Sequence, residues 1–358
     1  DRFSTRYLIC AAMLISSIST ITFGLGHSLA VLAICRLAVG ACAAFCFLSV
    51  IRIATRWFPT KQMALVTGFI VTWAMLGGMV AQTPFAYLIN ATSWRTAVVI
   101  NGCVGLLMML LIYFVVRDYP PHHQSDEYHE HKQVDKLGLW NGLKLVVLNR
   151  YNWLCGLYTT LLNLPIFILG AIWGILFLSQ VHHLTNLNAS EATTMLFFGT
   201  ICGCPAFGWL SDKIGKRKIP MILGAVLSLI SILALMEIPS LNFTAIVVLF
   251  FSIGFFTSAQ IISYPLVSEL NPHAVTSSAN SIISVVIMAS GFIVQPLFGA
   301  LIKKHWQHTF AQGTPLYTRS DYHHAMYIMP ASFILAIILA FFIKETNCKQ
   351  QAGDLSET

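Results

Sequence analysis

The chain has 358 residues, 56% of them hydrophobic and only 10% charged, with a formal net charge of +7 and a mean hydropathy of +0.73. Soluble domains carry about 25% charged residues, so this composition excludes a soluble globular protein. It also removes the need for a nucleic-acid partner, because no soluble basic segment exists to hold one.

Ten apolar runs approach the ~20 residues needed to cross a bilayer. They lie at 7–28, 29–54, 64–90, 95–116, 152–181, 190–211, 218–238, 243–268, 275–303 and 324–344. None alternates with period two, so each is predicted as a helix and not as a barrel strand.

In chain order, a charged turn comes first, Asp1-Arg2-Phe3-Ser4-Thr5-Arg6-Tyr7. Within the second run, Arg36 opens an Arg36-x3-Gly40 pattern. An intramembrane arginine is costly, and here it is a candidate to bind an anionic substrate group or an acidic partner in a proton relay. The alternative is an arginine that snorkels to the interface. Arg52-x3-Arg56-Trp57-Phe58-Pro59 closes that run, and the third run carries Trp73 and Gln82-Thr83-Pro84. Proline in a span loosens backbone bonds where helices bend or line a cavity.

Residues 117–150 read as a linker, with Pro120-Pro121 and a His-rich cluster from His122 to His131. That cluster is either a metal site or a solvated linker, and nothing fixes a ligand geometry. Leu139, Trp140, Leu143 and Val147 then recur at helical spacing beside Lys144 and Arg150, the pattern of a short interfacial helix. In the fifth run Tyr158, Thr159, Thr160 and Asn163 precede Pro165, which predicts an interrupted helix whose freed backbone groups meet a polar ligand, or polar packing against a neighbour. The eighth run contains Gln260, Ser263 and Tyr264 and ends in Ser268-Glu269-Leu270-Asn271-Pro272; the ninth contains Asn280, Ser284 and Gln295-Pro296.

Between the sixth and seventh runs lies Gly208-Trp209-Leu210-Ser211-Asp212-Lys213-Ile214-Gly215-Lys216-Arg217-Lys218. Asp1, Arg2 and Arg6 recur at an offset of 211 as Asp212, Lys213 and Arg217, and Pro84 recurs as Pro296. One turn repeated at a long offset means two similar halves, as many transporters are built. By the same repeat, two further helices are expected ahead of Asp1. With the Asp212 turn taken as cytoplasmic, the same-side segments hold 16 of the 21 Lys and Arg, and the opposite loops hold Arg95, Lys303, Lys304 and Arg319. Eight of the nine cysteines lie in apolar spans and read as small packing residues.

Gly208 to Arg217 meets the pattern G-x-x-x-D-(R/K)-x-G-(R/K)-(R/K) in full, and Asp1 to Arg6 meets it in part. This resembles the signature turn of the major facilitator superfamily. The resemblance implies an all-α polytopic membrane protein with two bundles, alternating access and a cavity at the midplane, ten of the twelve helices being present here. Residues 1–116 would be an N-terminal bundle (helices 3–6), 117–150 a cytoplasmic linker with an interfacial helix, 151–345 a C-terminal bundle (helices 7–12) and 346–358 a cytoplasmic tail. A narrower resemblance, to the phagosomal nutrient transporters of intracellular bacteria, rests on Arg56-Trp57-Phe58-Pro59, Met75 to Gly78 with Gln82-x-Pro84, Ser93-Trp94-Arg95, Gly170 to Gly174, Ser268-Glu269-x-Asn271-Pro272 and Gln295-Pro296-x-x-Gly299. The third run departs from the drug–proton antiporter pattern at Ala81-Gln82.

The expectation is therefore a monomeric carrier in a bacterial inner membrane, importing a small polar nutrient, an amino acid first, with or without a coupled proton. Exporter of a drug or siderophore, and non-transporting membrane sensor or scaffold, are the alternatives. No cofactor, metal site or catalytic set is expected. The substrate-binding candidates are Arg36, Trp73, Gln82, Tyr158, Asn163, Gln260, Tyr264, Asn280 and Gln295. The gating candidates are Asp1, Arg2, Arg6, Arg56, Asp212, Lys213, Gly215, Arg217 and Glu269.

Overall fold

The computed structural model describes residues 4–58, 63–118, 139–238, 240–272, 275–304, 306, 310–311 and 314–350. Four helices come first: α1 (Thr5–Leu25), α2 (Leu29–Trp57), α3 (Met63–Ala91) and α4 (Trp94–Val115). The short helix expected in the linker is α5 (Leu139–Leu148). The next span is composite, an α-helix α6 (Arg150–Pro165), a π-helix (Ile166–Trp173) and α7 (Gly174–Val181). Then follow α8 (Asn186–Ile214), α9 (Lys218–Glu237), and a second composite span of α10 (Phe243–Thr257), a 3-10 turn (Ser258–Ile262) and α11 (Ser263–Leu270). The last elements are α12 (Thr276–Lys304), a two-residue antiparallel ladder of β1 (Phe310–Ala311) with β2 (Thr314–Pro315), α13 (Arg319–Met326) and α14 (Ile328–Phe342).

Among the described residues, nine helical stretches are long and apolar enough to cross a membrane. The remaining predicted run, 29–54, falls within α2, a helix of 29 residues. Helix ends are fixed where the chain supplies an oxygen to the first free N–H groups. Ser93 accepts from Thr96, Asn149 from Tyr151, Thr185 from Asn188 and Asn242 from Ala245, while Thr318 and Asp321 form a reciprocal capping box. Inside the spans, hydroxyls bond the carbonyl one turn back, as Thr159 does to Cys155 and Ser228 to Gly224, because hydrocarbon offers no other partner.

The chain divides into two compact units. The first comprises Asp1–Ala74 and Pro84–His131; the second comprises Met75–Thr83 and Lys132–Thr358. In the first, α1 packs on α2 and α4. In the second, α8 lies against α10, α6 against α12 and α9 against α14, around one continuous apolar core. The α8–α10 contact is backbone on backbone: a Cβ on Gly199 would overlap the Phe251 carbonyl, and one on Gly254 the Leu196 carbonyl. Helices in lipid associate through such small residues, since exclusion of water does not drive them together.

Candidate functional site

Pro165 sets the geometry of the middle of the second unit. It has no N–H, so the carbonyl one turn back, Leu161, loses its helical partner. The Ser332 hydroxyl of α14 reaches that carbonyl at 3.3 Å. Beyond Pro165 the span widens to π-helix, a form concentrated at functional sites. Two glutamines reach its carbonyls: Gln295 of α12 donates to Phe167, and Gln82, within the α3 segment that packs in this unit, donates to Gly170. Gln82 and Gln295 belong to the repeated Gln/Pro pattern, so both copies end on the same irregular segment.

The neighbouring span breaks at a similar depth. Its 3-10 turn carries Gln260, which donates to the Asn163 side chain at 3.1 Å. Tyr264 is hydrogen-bonded to Ser284 of α12. Asn280 lies nearer the signature turn, donating to Ser268 at 3.1 Å. Tyr158 is fully buried, and its hydroxyl is committed to the Met221 carbonyl of α9 at 2.8 Å. In the first unit, Arg36 is exposed with its guanidinium 4.3 Å from the Phe23 ring centre, and Trp73 is exposed. The structure thus brings Asn163, Gln260, Gln82 and Gln295 together around the Pro165 break, ties Tyr158 and Asn280 to other partners, and places Arg36 and Trp73 in the other unit.

Four of the gating candidates, Asp212, Gly215, Arg217 and Glu269, form a second cluster at the end of this unit that bears the signature turn. Gly215 adopts φ +68°, the left-handed conformation that favours glycine, and its N–H closes α8 on the Ser211 carbonyl at 3.0 Å. That reversal aims Arg217 back into the protein. Its Nη1 donates to Asp212 at 2.7 Å and Ser211 at 3.0 Å, and its Nη2 donates to Glu269 at 2.6 Å. Burial opposes the charge on Arg217, but its bonds to Glu269 and Asp212 more than offset this and raise its pKa. Lys213 is exposed, its ammonium 4.6 Å from the Trp209 ring centre. In the first unit Arg6 donates its backbone N–H to Asp118 at 2.8 Å and its side chain to the Tyr113 carbonyl. Asp1 and Arg2 lie outside the described residues, as does the His-rich cluster, and Arg56 is described only as part of α2.

Three features escaped the sequence reading, two in this unit and one in the first. Glu345, just after α14, accepts the backbone N–H groups of Arg217 and Lys218, both at 2.9 Å, capping α9 from a distant segment. Asp118 after α4 does the same for Arg6 at the start of α1. The signal was present as Arg117-Asp118 and Lys344-Glu345, a base followed by an acid directly after the last helix of each half. The third feature is a buried amide network. Asn271 exchanges hydrogen bonds with Asn152, at 2.7 and 3.2 Å, and accepts from Asn149 at 3.1 Å. The tail adds Gln350, donating to the Asn271 carbonyl at 2.6 Å, and Thr346, whose hydroxyl donates to Glu269.

The sequence profile described as "Major Facilitator Superfamily" matches residues 1–204 and again 157–354. The chain belongs to that superfamily. Major facilitators are transporters, and the membrane sensor protein UhpC of Escherichia coli K12 is 24% identical over 330 residues, covering 87% of this chain and 74% of that protein. The sialic acid transporter NanX of the same organism is 25% identical over 259 residues (71% of this chain, 60% of that protein), and its hexuronate transporter 25% over 224 residues (55% and 49%). Among solved structures, a bacterial homologue of the human lysosomal transporter Spinster, inward-facing and unoccupied, superposes with a TM-score of 0.67 at 20% identity, over 96% of this chain and 83% of that one. This likeness shows the fold. The narrower resemblance to amino-acid carriers finds no support, because the relatives' names concern sugar phosphates, sialic acid and hexuronates.

Glu345 gives a pH-dependent expectation. Burial pushes its carboxyl up, but the N–H groups of Arg217, Lys218, Asn347 and Thr346 more than offset this and hold its pKa below the ordinary value. A carboxyl with a depressed folded pKa stabilises above its unfolded pKa, and that contribution is lost as pH falls through the folded one. Glu345→Ala should therefore cost about 1 kcal/mol at neutral pH, as loss of a helix cap does. Melting curves taken at successively lower pH should show wild type and variant converging below the carboxylate range. A gap that persists in acid would refute the capping role.

Proposed function

We propose that this protein is a secondary carrier that moves a small polyhydroxylated solute, a sugar acid or sugar phosphate, across a bacterial inner membrane by alternating access, with the signature-turn end cytoplasmic. Beyond the superfamily, the observation that supports this reading is the convergence of a π-helical span, a 3-10-interrupted span and the Gln295-Pro296 step of the continuous helix α12 on side-chain amides. Interrupted helices near the middle of a bundle are where transporters bind polar solutes, because backbone and amide groups there replace water. The relatives' names supply the solute class. They replace the amino-acid expectation, which rested on short shared segments.

The test is uptake by inner-membrane vesicles carrying the full chain, with labelled hexuronates, glucose 6-phosphate, sialic acid, amino acids and a lipophilic cation. Saturable uptake of one of the sugar derivatives supports the reading. Uptake of amino acids alone, or efflux of the cation alone, refutes it. The likeness to UhpC favours a second reading, a membrane sensor of the same solute class, which saturable binding without flux would select.

A further inference from the structure

A groove of about 490 Å³ lies between the linker helix α5 and the end of α11. From α5 it is lined by Lys144, Leu145 and Leu148, and from the end of α11 by Leu270, Asn271 and Pro272, with Asn149 where α5 meets α6. Both walls are fixed. Val146 is fully buried, and the last carbonyls of α5 are held from α6: Asn152 donates to Val146 at 2.9 Å and the Trp153 indole to Val147 at 2.7 Å. The opposite wall is held by Asn271, which donates to Asn152 at 2.7 Å. The groove is therefore part of the fold and not a gap under a loosely held helix.

Its lining is apolar apart from one free cation. The two amides are committed, Asn149 donating to Asn271 at 3.1 Å and Asn271 to Asn152. Lys144 is exposed and has no ion-pair partner among the described residues. Arg150, beside Asn149, rests its guanidinium 4.9 Å from the Tyr151 ring centre and not on a carboxylate. No Asp or Glu occurs from Leu139 to Ser190 or from Leu270 to Ser320. Asp212, Glu269 and Glu345, the described carboxylates at this end of the unit, are taken by Arg217 or by the head of α9. An anion entering the groove meets only positive charge.

The apolar part continues outward. Leu148 is 70% exposed, and Trp153, on the first turn of α6, is 41% exposed. A short helix with a basic residue among exposed leucines, ending against a half-exposed tryptophan, suits the level of lipid headgroups.

We propose that this groove seats an anionic phospholipid, its phosphate drawn by Lys144 with Arg150 adding to the field, and its acyl chain lying along Leu145 and Leu148. A free phosphate would satisfy the lysine and leave the leucines in water, whereas a zwitterionic lipid would cover the leucines and gain little from the cation. The seated lipid joins the linker helix to the residues that directly follow Glu269. The proposal is independent of which solute the protein carries.

The experiment is native mass spectrometry of the purified full chain in detergent, titrated separately with short-chain phosphatidylglycerol, short-chain phosphatidylcholine and inorganic phosphate. Wild type should bind the first phosphatidylglycerol more tightly than phosphatidylcholine by about fivefold or more, the worth of one basic residue near an anionic lipid. Lys144→Gln should remove that preference and leave phosphatidylcholine binding unchanged, which also shows that the variant is folded. Leu148→Gln should weaken both lipids. Lys303→Gln, the same loss of charge near the far end of α12, should change neither. Equal affinities of wild type for the two lipids, or equal effects of the two lysine variants, would overturn the proposal. Inorganic phosphate bound through Lys144 as tightly as phosphatidylglycerol would make this a free-anion site, and dimers that lipid displaces would make it a self-association surface; either result overturns the lipid assignment.

Discussion

Arg217→Ala should destabilise the second unit by about 3 kcal/mol, whereas Asp212→Asn should change its stability by under about 1 kcal/mol. The two carboxylates are not equivalent partners. The Asp212 side chain is 67% exposed, so water and salt screen its pair, while Glu269 is 13% exposed and Arg217 is 8% exposed. Removing the arginine leaves Glu269 largely out of water with only the Thr346 hydroxyl, and an uncompensated buried charge is the costly case. Arg217→Lys should fall between, because an ammonium keeps the charge but lacks the fork that donates from both Nε and Nη2 to Glu269. Thermal unfolding of the purified full chain in detergent would rank the three. Equal losses for Asp212→Asn and Arg217→Ala would refute the assignment of Glu269 as the principal partner. The same ranking bears on gating. Arg217 sits on the α8–α9 turn, Glu269 on α11 and Thr346 on the tail, so the bonds that hold this end together join three separate segments.

The spans and the signature turn were readable because their causes are local or repeated. Apolar length alone marks a helix in lipid, and Gly215 could be assigned because a reversal with φ +68° favours glycine. The break in the α6 span was also readable, since Pro165 removes a donor wherever it sits. The form of the break was not: whether the chain beyond it becomes π-helix depends on Gln295, Gln82 and Ser332, supplied by helices far away in sequence. Tyr158 shows the limit from the other side. A tyrosine beside Thr159, Thr160 and Asn163 reads as part of a polar face, but α9 captures its hydroxyl, and no pattern within α6 reports that. Glu345 and Asp118 were legible only as a repeated acid after a base, whose meaning appears once the helix N-terminus is found beside it. The side-chain inventory could not choose a solute class, because amides and hydroxyls suit a zwitterion as well as a sugar.

Asn271→Leu should be nearly as severe as Arg217→Ala, at about 3 kcal/mol, although no charge is involved. Asn271 and Asn152 are both fully buried. Without the Asn271 side chain, Asn152 Oδ1 loses the donor that now sits 2.7 Å away, and the Asn149 amide keeps only the Leu270 carbonyl at 3.4 Å. Leaving a buried group such as Asn152 Oδ1 unpaired costs about 1–3 kcal/mol. Asn152→Leu should cost less, because Asn271 would retain both Asn149 and the Val267 carbonyl. The double variant removes both ends of the exchange and leaves fewer stranded groups than the two single changes together. Its loss should therefore fall short of their sum by about 1–3 kcal/mol, within the range of couplings between residues in contact. Denaturant unfolding of the four proteins measures this directly, and strict additivity would mean that the amide exchange is not a working contact. The position of Asn271 gives the coupling a consequence beyond stability. It follows Glu269 by two residues, holds the C-terminal end of α5 and the head of α6 through Asn149 and Asn152, and receives Gln350 from the tail. Any movement of α11 that releases Arg217 from Glu269 must therefore carry or break this amide pair, so the two clusters should open together.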